Sequence, residues 1–505
     1  MRSKNAFKNL VFYFIYEISL FICGIVFPRI IILTYGSSIN GLTSTITRIL
    51  SLINLVQAGA IGTAIYQMYK PVAENDFETQ SSIIYSSKLF YRKTSIIYLS
   101  IALAVGIFYG FYLQDGNLSF LDIFLSFVLL AINGTSILLF NSICDIYISS
   151  HQKRYFLSIS AIFEIVVRYG LLSIILFLKL HFIFIYVCYL IGGIASVALN
   201  LFFYFRLQKG KILKNPKNKN FVIPNRKYLM LSSIGSEIVT ASPTIIITSI
   251  IDLVQSSVFS IYALVFTSMK TILNSIQLSF SAIFGNLTKT SSSQKIYSVY
   301  SMIELITIFL GTIVSSCVGF LIIPFIQLYT NGADTNYLSI ILCFFVIAYT
   351  VLISFRSSFG YVANVYGLFR HTCVIILAFG LTGVFISVLM VILFGMPFVM
   401  VGLLFNQLGC SIAILIVLKR RISWFKIKKL FIRSGLMITM TALSVAMFFI
   451  LNPIIDSWSK WVFYGAVVSV VAVLLLVVYC LLFEREHSVM FFCYLKNLIK
   501  KRENI

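Results

Sequence analysis

The chain has 505 residues, of which 59% are hydrophobic and only 11% charged, and its mean hydropathy is +0.98. Soluble proteins carry about a quarter charged residues, so this composition excludes a water-soluble enzyme and leaves an integral membrane protein. The net charge of +23 belongs to the loops of such a protein, where Lys and Arg collect on the cytoplasmic side, and is not a nucleic-acid footprint. Apolar runs near 20 residues long make the class all-α and polytopic.

In chain order, residues 1–9 are basic and lead into a first span at 10–33. This run is too long for a signal-peptide core, carries Glu17 and lacks a small-x-small cleavage site, so a retained span is expected. An outer turn punctuated by Tyr35-Gly36 and Asn40-Gly41 precedes one whole second helix at 42–67. Residues 70–93 read as a mixed-charge inner loop with an amphipathic surface helix. Spans follow at 94–113, 120–149, 156–178 and 182–205. A basic stretch at 206–227, with Pro216 and Pro224, reads as a cytoplasmic linker. Further spans are expected at 228–251, 257–285, 297–323, 337–359, 373–394 and 398–418. A second basic linker at 419–433 leads to spans at 434–451 and 460–482, with Trp458 and Trp461 as interfacial anchors and a basic tail at 483–505.

That makes about fourteen transmembrane helices with both termini cytoplasmic. In this arrangement 32 of the 39 Lys and Arg residues fall on the inner side, and only Arg29, Lys179 and Lys460 lie toward the outside. Pro28-x-Ile-Ile-Ile in the first span recurs as Pro243-x-Ile-Ile-Ile in the seventh. The recurrence suggests two six-helix lobes (1–205 and 228–418) related as a parallel repeat, with the last two helices as an addition. The nine cysteines include no C-x-x-C pair, and His151, His181, His371 and His487 have no Cys, Asp or Glu at ligand spacing. Neither a disulfide framework nor a metal site is expected.

The first fifth of the chain resembles the N-terminal signature of bacterial oligosaccharide flippases, the polysaccharide and O-antigen exporters of the multidrug/oligosaccharidyl-lipid/polysaccharide (MOP) superfamily. The residues that carry it are Pro28-Arg29, Tyr35-Gly36, Asn40-Gly41-Leu42, Gly59, and Tyr69-Lys70-Pro71-Val72-Ala73 with Asp76, followed by Tyr91-Arg92. Where many such proteins carry an acid two residues before the glycine, this chain has Gln57. The resemblance implies a MATE-like fold with a central cleft lined by helices 1, 2, 7 and 8, alternating access, and a polyprenyl-diphosphate-linked oligosaccharide as substrate. It also implies the bacterial cytoplasmic membrane and polysaccharide-biosynthesis partners within it.

Polar residues at membrane depth are the candidate functional groups. Arg48 lies along one side of the second helix with Ser44, Ser51 and Asn54; Lys270 lies in the eighth with Thr267, Asn274 and Gln277. Neither cation has an acid at i±3 or i±4 in its own helix. The two are expected to clamp a lipid diphosphate, guanidinium and ammonium each supplying charge-assisted hydrogen bonds. Arg29 is a third cation candidate. The rival expectation is that each is neutralised by a carboxylate such as Glu237 or Glu17. Those two acids are also the candidates for a coupling ion, H+ or Na+, and Glu237 shares its helix face with Ser233, Thr240, Thr244 and Thr248. Arg168 has Glu164 one turn away and is expected to form a structural ion pair. Arg356 is expected to snorkel.

Two other functions fit less of this pattern. A cation-coupled drug or metabolite exporter of the same superfamily should have fewer cavity cations and normally twelve helices. A membrane glycan polymerase or ligase needs paired acids or a histidine on a large outer loop, and no such loop is expected. No Walker motif is present, so the chain is expected to be a transporter driven by a gradient, not an enzyme.

Overall fold

The computed structural model describes residues 2–57, 60–114, 118–208, 210–213, 216, 226–290 and 292–484. The basic stretch 206–227 and the tail 483–505 lie largely outside these residues. Among the described residues every regular element is helical, and twelve helices are long and apolar enough to cross a membrane. Two expected spans do not meet that test: the second, which is broken, and the seventh, whose apolar part is Ile234–Ile250.

The chain forms two compact units. The first contains α1 (Arg2–Tyr35), α2 (Ser37–Ile53), a 3-10 turn at Asn54–Gln57, α3 (Ala60–Ala73), α4 (Phe77–Tyr112), α5 (Phe120–Ser136), a π segment at Ile137–Asn141, α6 (Ser142–Ser150), α7 (Tyr155–Phe177), α8 (Ile183–Gln208) and α9 (Arg226–Ile250). It also takes the start of α10 (Leu253–Thr290), up to Ser260, and the short stretch Gly332–Thr335. The first unit therefore extends past the expected lobe boundary at 228. Its core runs through Phe27, Leu42, Ile46, Phe127, Leu172 and Tyr186, with a second cluster around Met68, Ile83, Tyr91 and Tyr147.

Three local features depart from the expected spans. The second helix is not whole: α2 stops at Ile53, and the chain tightens into a 3-10 turn where Gln57 Nε2 donates to Asn54 Oδ1 at 2.7 Å. Short 3-10 stretches within a helical run mark hinges or strained sequence. The fourth span has a π segment at its middle. The inner loop expected at 70–93 is instead mostly the first half of α4, whose 36 residues make a rod of about 54 Å, longer than the ~30 Å hydrocarbon core. Asp76 starts α4 as its N-cap, accepting from the Thr79 hydroxyl at 2.5 Å and the Thr79 amide at 3.0 Å. These bonds hold the Asp76 carboxyl below the usual carboxylate range.

The second unit comprises the rest of α10, α11 (Ser293–Tyr329), α12 (Ile340–Ser357), α13 (Gly360–Val365), α14 (Phe369–Phe394), α15 (Val399–Arg421), α16 (Lys428–Leu451) and α17 (Trp458–Phe483). The last two helices both pack on α11. The core holds Phe284, Tyr300, Tyr361, Trp424, Phe425 and Met437. α16 begins inside the stretch read as a basic linker, so Arg433 is a helix residue and is fully buried.

Candidate functional site

The buried and half-buried cations differ in how many hydrogen-bond donors they still have to offer. A guanidinium has five N–H donors and cannot lose its charge. Arg433 uses all five. Nε donates to Glu484 Oε1 at 3.1 Å and Nη2 to the same oxygen at 2.9 Å; Nη1 donates to Glu304 Oε1 at 2.8 Å and to the Ser301 carbonyl at 2.9 Å; Nη2 also donates to Ser301 Oγ at 3.0 Å. Lys429 reaches Glu484 Oε2 at 3.5 Å from the rim. This saturated network ties α11, α16 and the end of α17 together and has nothing left for a ligand. Sequence reasoning missed it; the available signal was Glu304, an acid inside the apolar run 297–323.

Arg168 is partly engaged. It meets Glu164 at 3.3 Å, and its guanidinium lies over the rings of Tyr169 and Tyr189 at 4.7 and 4.8 Å. Arg356 donates to Gln407 Oε1 at 3.2 Å.

Arg48 differs from all of these. It is half-buried on α2, and among the described residues its guanidinium makes no hydrogen bond and no ion pair. Glu237 of α9 is the acid whose charge acts on it, from beyond ion-pair distance. The serines flanking Arg48 along α2 turn inward to their own helix. Ser44 Oγ donates to the Gly41 carbonyl at 2.9 Å and Ser51 Oγ to the Arg48 carbonyl at 2.8 Å. Asn54 is exposed at the 3-10 turn. The structure thus brings Arg48 and Glu237 into one unit, on helices that pack against each other.

The other candidates fall as follows. Lys270 and Arg29 are half-buried, on α10 in the second unit and α1 in the first respectively. Thr267 donates to its own helix at the Ala263 carbonyl, 2.6 Å away; Gln277 donates to the Ser357 carbonyl at 2.6 Å; Asn274 is exposed. Glu17 lies beside Tyr13 on its own helix. Thr240 donates to the Ser236 carbonyl at 2.9 Å, and Thr248 is paired with Thr45. The side chain of Ser233 lies outside the described residues.

The backbone was compared with solved structures. One similar structure is an inward-facing multidrug resistance MATE family transporter of the MOP superfamily, with a TM-score of 0.66 and 11% identity, covering 81% of this chain and 94% of that one. Another is the lipid II flippase MurJ in an inward closed conformation, with a TM-score of 0.64 and 16% identity, covering 93% and 99%. The chain has the MATE and MurJ fold. The Vibrio cholerae MATE transporter VcmN is also similar, with a TM-score of 0.54 and 11% identity over 84% of this chain and 99% of that one. No family model and no curated protein matches the chain by sequence.

Proposed function

We propose that this protein flips a polyprenyl-diphosphate-linked oligosaccharide across the bacterial cytoplasmic membrane by alternating access, for surface polysaccharide synthesis. The observation that carries the reading is Arg48: a permanent charge on a half-buried side chain of α2 whose guanidinium makes no hydrogen bond among the described residues. Holding guanidinium donors without acceptors at membrane depth is costly, and a diphosphate supplies both acceptors and negative charge. The fold is shared with a flippase of a lipid-linked substrate, which supports the same reading. Lys270 and Arg29 are proposed as further phosphate-binding cations. Glu237 is proposed to carry the coupling ion, H+ or Na+, because its charge acts on Arg48 and protonation there changes the field at the site; Glu17 is the other acid proposed for that role.

Deleting the gene should accumulate the polyprenyl-linked sugar on the cytoplasmic face. Arg48→Ala, inserted at normal levels, should reproduce that accumulation, and Arg48→Lys should rescue export only in part, since an ammonium lacks the bidentate fork. Normal export by Arg48→Ala would refute the assignment. The second reading is a cation-coupled exporter of a drug or metabolite. It is favoured by the Glu237 charge, which offsets that of Arg48, and by a likeness to MATE transporters as high as that to MurJ. Under it, deletion raises drug susceptibility and leaves lipid-linked sugars unchanged.

A further inference from the structure

α14 and α15 form a hairpin whose inner ends carry a cluster of basic groups. Arg370 and His371 lie in the first turn of α14, and Lys419, Arg420 and Arg421 lie in the last turn of α15. The two helices pack closely: a Cβ at Gly402 would lie 2.1 Å from the Gly383 carbonyl oxygen. At the cluster itself Arg421 Nη2 lies 3.4 Å from His371 Nε2. Two basic groups from separate helices are thus held side by side.

The core of the unit fixes the turns that carry this cluster. Trp424 Nε1 donates to the Tyr366 hydroxyl at 2.8 Å, which ties the turn before α14 to the turn after α15. Leu418, Ile422 and Trp424 are buried in the core, and Tyr366 and Leu368 pack against the same cluster of side chains. On this base Arg370, Lys419, Arg420 and Arg421 are exposed and His371 is half-buried.

The second unit has no acid to spare for these cations. From Thr335 to Ile455 the sequence contains no Asp or Glu. Among its described residues the unit holds three acids. Glu304 and Glu484 are both placed on Arg433, and Asp456 pairs with Lys460. Among the described residues no ion pair reaches Arg370, Lys419, Arg420 or Arg421. Nor does an acid sit in the first turn of α14, where cations oppose the helix dipole. Cations at an inner membrane end are commonly solvated. These are instead crowded onto one rigid pair of turns, with every carboxylate of the described unit already taken.

We propose that this cluster binds the phosphate headgroup of an anionic phospholipid of the inner leaflet. Arginine suits a phosphate through its paired N–H donors, and polybasic segments at the cytoplasmic surface attract anionic lipids. What adjoins the cluster favours a lipid over a soluble phosphate. Exposed apolar residues lead away from it along both helices: Val374, Leu381 and Phe385 on α14, and Ile416, Ile412 and Phe405 on α15. Their spacing puts each set on one helix face, and the acyl chains lie along these faces. The inference stands apart from the export reading and needs neither Arg48 nor the transported substrate.

The test uses the full chain in an uncharged detergent, titrated with phosphatidylglycerol or with zwitterionic phosphatidylcholine. Native mass spectrometry counts the lipids that stay bound. The unaltered protein should hold phosphatidylglycerol in preference to phosphatidylcholine, and added salt should weaken that binding. Arg370→Gln with Arg421→Gln should lower the affinity about thirtyfold, given the usual contribution of each cation at a membrane surface. Arg370→Lys with Arg421→Lys should keep most of it. Lys88→Gln with Arg92→Gln, which removes the same charge from exposed positions on α4, should leave it unchanged. Thermal unfolding without lipid checks that each variant is folded. If the Arg370 and Arg421 glutamine variant is not, Lys419→Gln with Arg420→Gln takes its place under the same expectation. Equal binding of the two lipids, an equal loss in the α4 variant, or displacement of the lipid by millimolar inorganic phosphate overturns the assignment.

Discussion

Arg433, Arg168 and Arg48 carry the same charge and differ in what their guanidinium groups already hold. Arg433 is 0% exposed with every donor placed on Glu304, Glu484 and Ser301. Removing one member of a buried ionic network leaves the remaining charges unpaired, so Arg433→Ala should destabilise the second unit by about 3–5 kcal/mol. Thermal unfolding in detergent should show this as a clear drop in Tm. Glu484→Gln keeps an acceptor for Nε and should cost less. Replacing Arg433, Glu304 and Glu484 together with apolar residues of similar volume should recover most of the loss. Arg48→Ala, in contrast, removes no hydrogen bond among the described residues and should leave Tm nearly unchanged while stopping export. An Arg48→Ala protein that unfolds as readily as Arg433→Ala would make Arg48 a structural residue. The sequence singled out Arg48 and Arg168 because each interrupts an apolar run. It could not do so for Arg433, which stands among Lys419, Arg420, Arg421, Lys426, Lys428 and Lys429 and looks like one more loop cation. Only its placement against Glu304 on a distant helix sets it apart.

Among the elements, α2 and α4 show how short-range chemistry sets the ends of helices. The Asp76 cap holds the first turn of α4. Its carboxyl is kept below the ordinary range by the Thr79 hydroxyl and amide, so the folded form favours the ion. The cap is therefore fully present at neutral pH, and its contribution is lost as acidification carries the pH down through the depressed folded value. Asp76→Ala should speed hydrogen exchange at the amides of Thr79 and Gln80 at pH 7 and leave the outer end of α4 unaffected. Unchanged exchange would mean that packing alone orders that turn. The break at Asn54–Gln57 was hidden because the apolar pattern continues through Leu52, Ile53, Leu55 and Val56. Periodicity reports which residues are apolar and says little about whether the backbone keeps a single helical phase. The same limit hid the continuity of α4, whose charged first half resembles a loop in composition yet keeps helical hydrogen bonding into the membrane span.

At the scale of the molecule, the charge asymmetry makes a direct prediction about orientation. Single cysteines at Asn331 and Ser457 should react with an impermeant thiol reagent from outside, and one at Ser423 only after permeabilisation. Outside labelling at Ser423 would invert the topology. The sequence by itself determined the all-helical, multi-pass class and the rough place of nearly every span, and it predicts the sidedness of the loops. These follow from the cost of unsatisfied backbone in hydrocarbon and from where Lys and Arg fall, and both are properties of local composition. Tertiary structure decided the rest. The residues that pair with α2 across the fold, Thr45 with Thr248 or Ser37 with Asp334, are about 200 to 300 positions apart, and a serine reads the same in sequence whether it bonds its own helix, as Ser44 and Ser51 do, or a neighbour. Which arginine is saturated and which is open depends likewise on partners supplied by distant helices. Hydrogen-bond satisfaction is a relation between groups brought together by folding, so it was settled only once the helices were packed.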